Sequence, residues 1–132
     1  MRYYLLGLTL LTSGYANAGD STAVDSLLQQ YQQQSKVNFS EQTGSALWQK
    51  EFLSANGMRR SCSSCHTQNL TVIGKHVKTQ KIIKPLAPSV NSTRLTKVKT
   101  IKKWFKRNCK WTLGRECTPQ EKGHLLTFIN SQ

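Results

Sequence analysis

Four stretches of the chain carry apolar residues at helical spacing. In the Gln-rich segment 19–38, Val24, Leu27, Leu28 and Tyr31 fall at i, i+3, i+4 and i+7, which predicts one short amphipathic helix with Asp20 or Ser21 near its cap. The segment reads as an N-terminal extension with no chemistry of its own. A second helix is expected from Ser40, with Glu41 suited to the positive end and Leu47, Trp48 and Phe52 forming a stripe through about Ala55. Asn56-Gly57 should end it. A third starts at Thr96, where Val98, Ile101, Phe105 and Asn108 recur at intervals of three, four and three, placing Asn108 on the apolar face. The last opens on Thr118-Pro119-Gln120-Glu121, a capping box with proline at the first helical position, and carries Leu125, Leu126, Phe128 and Ile129. Residues 67–95 hold the breakers Gly74, Pro85 and Pro88 and are expected as loop with one short helical turn. Neither an internal repeat nor an alternating pattern is visible, so the chain is expected to be all-α, and its 132 residues suffice for one domain with a modest core.

The N-terminus changes the compartment. Arg2, the apolar run 3–15 and Ala16-Asn17-Ala18 have the layout of a signal peptide cleaved before Gly19. The run is too short to span a bilayer, which takes roughly 20 residues. The expected organisation is therefore a signal peptide over 1–18, the Gln-rich extension over 19–38 and the main domain over 39–132, exported to the periplasm without stable membrane insertion. Of 19 Lys and Arg, thirteen lie within residues 75–115, a span with no Asp or Glu. Export argues against nucleic acid as the partner of this basic face and leaves an acidic protein or an anionic membrane surface. The six acidic residues are scattered and no nucleophile–base set is visible, so nothing identifies an enzyme.

The chemistry lies in Cys62-Ser63-Ser64-Cys65-His66. C-x-x-C-H is the spacing of c-type haem attachment: two thiols on one turn each add across a vinyl group, and the following imidazole reaches the iron. A thioredoxin-like pair needs a βαβ setting, and a structural zinc site needs a second close ligand pair; Cys109 and Cys117 do not supply one. One covalent haem c is expected, on Cys62 and Cys65, with His66 as proximal ligand.

The opposite side of the iron has no methionine, since only Met1 and Met58 exist and neither follows His66. His76, His124, a lysine and Asn108 remain. His124, on the last helix, is expected at the surface. His76 reads as a loop or propionate contact, with a bis-histidine site as the alternative. A lysine would have to lose its proton against strong hydration. Asn108 reads as an inward amide needing a partner, or as a helix C-cap. Beside it, Cys109 and Cys117 are the two thiols left in an oxidising compartment, and pairing them would restrain that helix end.

Resemblance adds to these residues. The stretch Gly44-Ser-Ala-Leu-Trp48 before C-x-x-C-H resembles the class I cytochrome c pattern, in which a glycine lets the first and last helices cross and an aromatic packs at the crossing, here against Phe128. The runs PLAPSVNSTRLT and KKWFKRNCKWTLGRECTPQEK, with CSSCHT, resemble the Sphaeroides haem protein family over about residues 40–131. That resemblance implies four to five helices around one haem in a high-spin class I cytochrome c. It also implies Asn108 as distal ligand and Cys109–Cys117 as a disulfide. The expected function is electron transfer, with an asparagine that leaves the ferrous iron open to O2, NO or CO. Alternatives are a gas-binding protein or terminal oxidoreductase acting on a small oxidant, and a plain bis-histidine carrier. The expected partner is a cytochrome with an acidic docking face, a dihaem cytochrome c being typical of such families.

Overall fold

The computed structural model describes residues 22–54 and 57–132. The signal peptide and its cleavage site lie outside the described residues, as does the Ala55-Asn56 pair. Among the described residues five helices carry the fold: α1 (Ala23–Ser35), α2 (Glu41–Gln49), α3 (Ser63–His66), α4 (Val98–Leu113) and α5 (Pro119–Asn130). Two minimal antiparallel ladders accompany them, β1 (Phe52–Leu53) with β2 (Arg59–Arg60) and β3 (Gly74–Lys75) with β4 (Ile82–Ile83). Strands of two residues are too short to leave an alternating pattern in the sequence, which is why none was visible. Among the described residues no helix is long and apolar enough to cross a membrane.

The α2/α5 crossing forms as expected. A Cβ on Gly44 would run into the His124 carbonyl oxygen and the Phe128 Cβ, so only glycine lets the two backbones meet. Trp48 then packs on Phe128 at 6.0 Å between ring centroids. Helix α5 begins with the capping box of Thr118 and Glu121 and has Pro119 in its first turn. Trp48 and Phe128 join Leu70, Ala87, Cys109, Cys117, Leu125 and Ile129 in one buried cluster.

Several boundaries differ from expectation. Helix α1 starts one residue later, on Thr22, whose hydroxyl accepts the Asp25 N–H while the Asp25 carboxylate accepts from Thr22. Its Val24, Leu27 and Tyr31 are buried with Ile101 and Leu126, so the Gln-rich segment is a wall of the core and not an appendage. Helix α2 stops at Gln49, because Lys50 turns extended and Phe52 pairs with Arg60. Helix α4 begins at Val98 with Lys97 as its uncapped start; the Thr96 hydroxyl donates to the Thr93 carbonyl instead. Residues 67–95 contain β3, β4 and hydrogen-bonded turns around Asn91, in place of the helical turn.

Candidate haem-binding site

Helix α3 is the CSSCH segment itself, closed by the Thr67 N–H to the Ser63 carbonyl. Ser61 ties down its start: its hydroxyl lies 2.9 Å from that of Ser63 and 2.8 Å from that of Ser64. Cys62 and Cys65 both carry free thiols. Burial, then the neighbouring Cys65, pushes the Cys62 thiol up to about 11, while a hydrogen bond from the Thr112 side chain pulls the other way. Cys62 is thus a protonated, inward thiol pressed against the last turns of α4.

His66 lies under the α2/α5 crossing, its ring 5.5 Å from that of Trp48. The Trp48 indole N–H donates to the Thr67 carbonyl at 2.9 Å, fixing the chain after His66. Burial lowers the His66 pKa to about 4, with the charges of Arg94 and His76 adding to the effect. A neutral imidazole is the form that binds metal. Its Nδ1 is buried without a hydrogen-bond partner among the described residues. Two free thiols and a buried neutral imidazole on one turn fit covalent haem. Arg94 braces the loop opposite, donating to the carbonyls of Pro85 and Lys84.

One supporting residue was missed by sequence reasoning. Gly74, read only as a breaker, lies so close to the Cys65 carbonyl that an added Cβ would collide with it and sit 3.0 Å from the His66 Cα. It lets β3 press directly on the turn that carries Cys65 and His66. A glycine a few residues after C-x-x-C-H was the only available signal, and many breakers look the same.

Asn108 needs correcting. It is exposed, and the buried stripe of α4 is Ile101, Cys109 and Thr112, with Val98 and Phe105 half-buried. Cys109 takes the inward seat because its sulfur lies at bonding distance from that of Cys117, with the Cα atoms 5.5 Å apart, and this seam belongs to the core. The C-cap reading also fails, since α4 runs on to Leu113 and ends on Gly114 at φ 74°. Asn108 therefore sits mid-helix, making no side-chain hydrogen bond within the described residues. It flanks the buried stripe one turn before Thr112, the residue that touches Cys62.

The other candidates have different places. His124 is buried and not at the surface: its Nδ1 accepts the Ser40 N–H at 2.9 Å, and its ring meets Phe39 edge-on. It joins α5 to the start of α2. His76 packs against Trp111, 5.6 Å between rings, and its Nδ1 accepts the N–H groups of Lys78 and Thr79. On the outside of α4, Lys99, Lys102, Lys103, Lys106, Arg107 and Lys110 are all exposed, with Trp104 among them.

Comparison with known proteins gives a consistent set. A family model described as a domain of unknown function (DUF1924) matches residues 34–129. The cytochrome c-type protein SHP of Cereibacter sphaeroides is 34% identical over 125 residues, 95% of each chain. Its solved structure in the oxidized form, described as an oxygen-binding cytochrome c, has a TM-score of 0.77 and 33% identity and covers 84% of this chain and 98% of its own. Cytochrome c'' of Methylophilus methylotrophus is 35% identical over 86 residues, 65% of this chain, and the match spans 60% of that relative's length. A solution structure of that protein, concerned with haem-ligand detachment, has a TM-score of 0.73 and 29% identity and covers 83% of this chain and 93% of its own.

Proposed function

Because the chain belongs to the Sphaeroides haem protein family, the DUF1924 domain family, and has its all-α class I cytochrome c fold, we propose that it is an exported, periplasmic monohaem c-type cytochrome whose sixth iron ligand is detachable. Cys62 and Cys65 would hold the haem through thioethers and His66 would bind its iron. The haem would supply the redox couple and an exchangeable iron position. Asn108 would be the detachable protein ligand. A carboxamide oxygen is a hard, weak and neutral donor, better suited to ferric than to ferrous iron. With haem bound, such a donor would favour the oxidised state and would be released on reduction, leaving access for O2, NO or CO.

The observation that carries this reading is the position of Asn108. It stands unbonded one helical turn before Thr112, and Thr112 touches the attachment thiol of Cys62. His76 is the weaker candidate, since one of its nitrogens already serves two backbone N–H groups. The relatives point the same way: one is titled an oxygen-binding cytochrome c and another is described for ligand detachment. A disulfide between Cys109 and Cys117 clamps the helix beside Asn108. Electrons come from a cytochrome with an acidic docking face, received on the lysines of α4. Reading the protein as a terminal oxidoreductase acting on a small oxidant uses the same open site.

Optical spectroscopy of the reduced protein tests the proposal. CO should bind the wild type and shift its spectrum, and Asn108→Met should give a low-spin ferrous spectrum with CO binding slowed or lost. A wild type that is low-spin and inert to CO when reduced would sink it, pointing to a firm ligand such as His76.

A further inference from the structure

Two hairpins flank the site, each with one pair of residues turned toward the protein and one turned outward. In the β3–β4 ladder Gly74 pairs with Ile83 and Lys75 with Ile82. Gly74 presses on the backbone of Cys65 and His66. The Gly74/Ile83 pair therefore faces the site, and by the alternation of the pleat the Lys75/Ile82 pair faces away. Ile82 is 61% exposed and Ile73, before the strand, 59%. Lys75, Lys78, Lys81 and Lys84, all exposed, surround them.

The β1–β2 ladder repeats the pairing of one aliphatic with one cation. Leu53 pairs with Arg59 and is 69% exposed. The other pair turns inward, where the Arg60 guanidinium covers the Trp111 ring at 3.8 Å and donates to the Trp111 carbonyl. His76 of the second hairpin meets that same ring. Trp111 thus holds the two hairpins as neighbours. Residues 52–115 contain no carboxylate side chain, and Glu51, at the edge, is matched by Arg59 at 3.6 Å.

We propose that the outer face of the β3–β4 hairpin, extended by Leu53, docks the protein peripherally on an anionic phospholipid surface. The side-chain types decide between lipid and protein. Lysines line both this face and α4 and do not separate the two, whereas aromatics and arginine, which are enriched at protein interfaces, do. The β3–β4 face sets exposed isoleucines among its lysines. Isoleucines enter the boundary between headgroups and acyl chains, while lysines lie with their stems along apolar surface and their ammonium groups at the phosphates. The surface better suited to an acidic protein is the exposed side of α4, where Trp104 stands between Lys103 and Arg107 at 5.7 and 5.2 Å. This inference goes beyond the haem assignment and does not depend on which residue binds the iron.

Flotation of the haem-loaded protein with vesicles tests it. Vesicles of mixed phosphatidylcholine and phosphatidylglycerol should carry the protein, and pure phosphatidylcholine should not. Ile73→Ser/Ile82→Ser leaves the charge unchanged and should weaken partition about tenfold, the loss of two partly buried aliphatic side chains. Lys102→Gln/Lys106→Gln on α4 should weaken it less than the isoleucine pair does. Equal recovery with both vesicle types, an isoleucine pair that binds like wild type, or a larger loss from the α4 pair would each overturn the proposal. So would an acidic redox partner whose binding is abolished by the isoleucine pair while vesicles are ignored, because that would assign the face to a protein.

Discussion

Replacing Gly74 by alanine isolates the contact between β3 and the ligand turn. The backbone there does not require glycine, since only Gly57 and Gly114 among the described glycines have positive φ. Without the contact, alanine should stabilise by about 0.4–1 kcal/mol through the unfolded chain. With it, the new methyl meets the Cys65 carbonyl and sits 3.0 Å from the His66 Cα and 3.2 Å from the Cys65 carbonyl carbon. These atoms are backbone and cannot rotate aside. Either the hairpin, held by two registered pairs, lifts off or the helical turn is displaced. Overpacking of this kind costs about 1–3 kcal/mol, so the net loss should be about 1–2 kcal/mol. For a domain of this size that lowers the melting temperature by about 3–12 °C. Thermal unfolding followed by circular dichroism measures the loss, and visible absorbance per mole of protein measures haem loading. Gly57→Ala, at φ 77° with nothing nearby, should cost stability but leave loading and spectrum intact. A Gly74→Ala protein as stable as wild type or more so, with unchanged loading, would refute the packing of β3 on the ligand turn.

Three further outcomes are expected. Cys109→Ser/Cys117→Ser should lower stability by about 2–3 kcal/mol, the chain-entropy value for so short a loop, and quicken CO binding to the reduced protein as α4 loosens beside Asn108; stopped-flow mixing measures the second effect. The Glu121 carboxyl is held below the usual carboxylate range chiefly by its two-pronged bond to Arg115, at 2.8 Å on each arm. Its native pKa is thus below its unfolded value, so its stabilisation is present above the ordinary glutamate range and lost as pH falls through the lowered value. Arg115 is half exposed, which limits the contribution to below about 1 kcal/mol. Glu121→Gln should flatten that acid-side loss in urea titrations. Neutralising Lys102 and Lys106 should slow reduction by an acidic cytochrome at low salt and shrink the salt dependence of the rate.

What the sequence determined by itself was local. C-x-x-C-H is five consecutive residues, so the expectation of haem attachment there needed no fold. The Thr118 capping box was legible because it rests on short spacing along one helix, whereas the crossing of Gly44 and Trp48 with Phe128, on a second helix, was expected from the resemblance to the class I cytochrome c pattern. Residues whose role depends on a distant segment were not. His124 looked like a surface residue until Ser40, far away in sequence, donated to it and Phe39 covered it. Asn108 shared the apolar spacing with Ile101 and Phe105, yet the inward seat went to Cys109 because Cys117 closes that seam. Periodicity alone does not separate neighbouring positions on a helix face by so small a rotation. The Gln-rich segment read as an N-terminal extension because its apolar residues are few, but Leu126 and Ile101 supply the surface that buries them. The two-residue strands have no period to read, and only the close approach at Gly74 fixes which side of the hairpin faces the ligand turn. Helical spacing is a property of one segment, whereas burial and close approach belong to two, and the second exists only once the chain has folded.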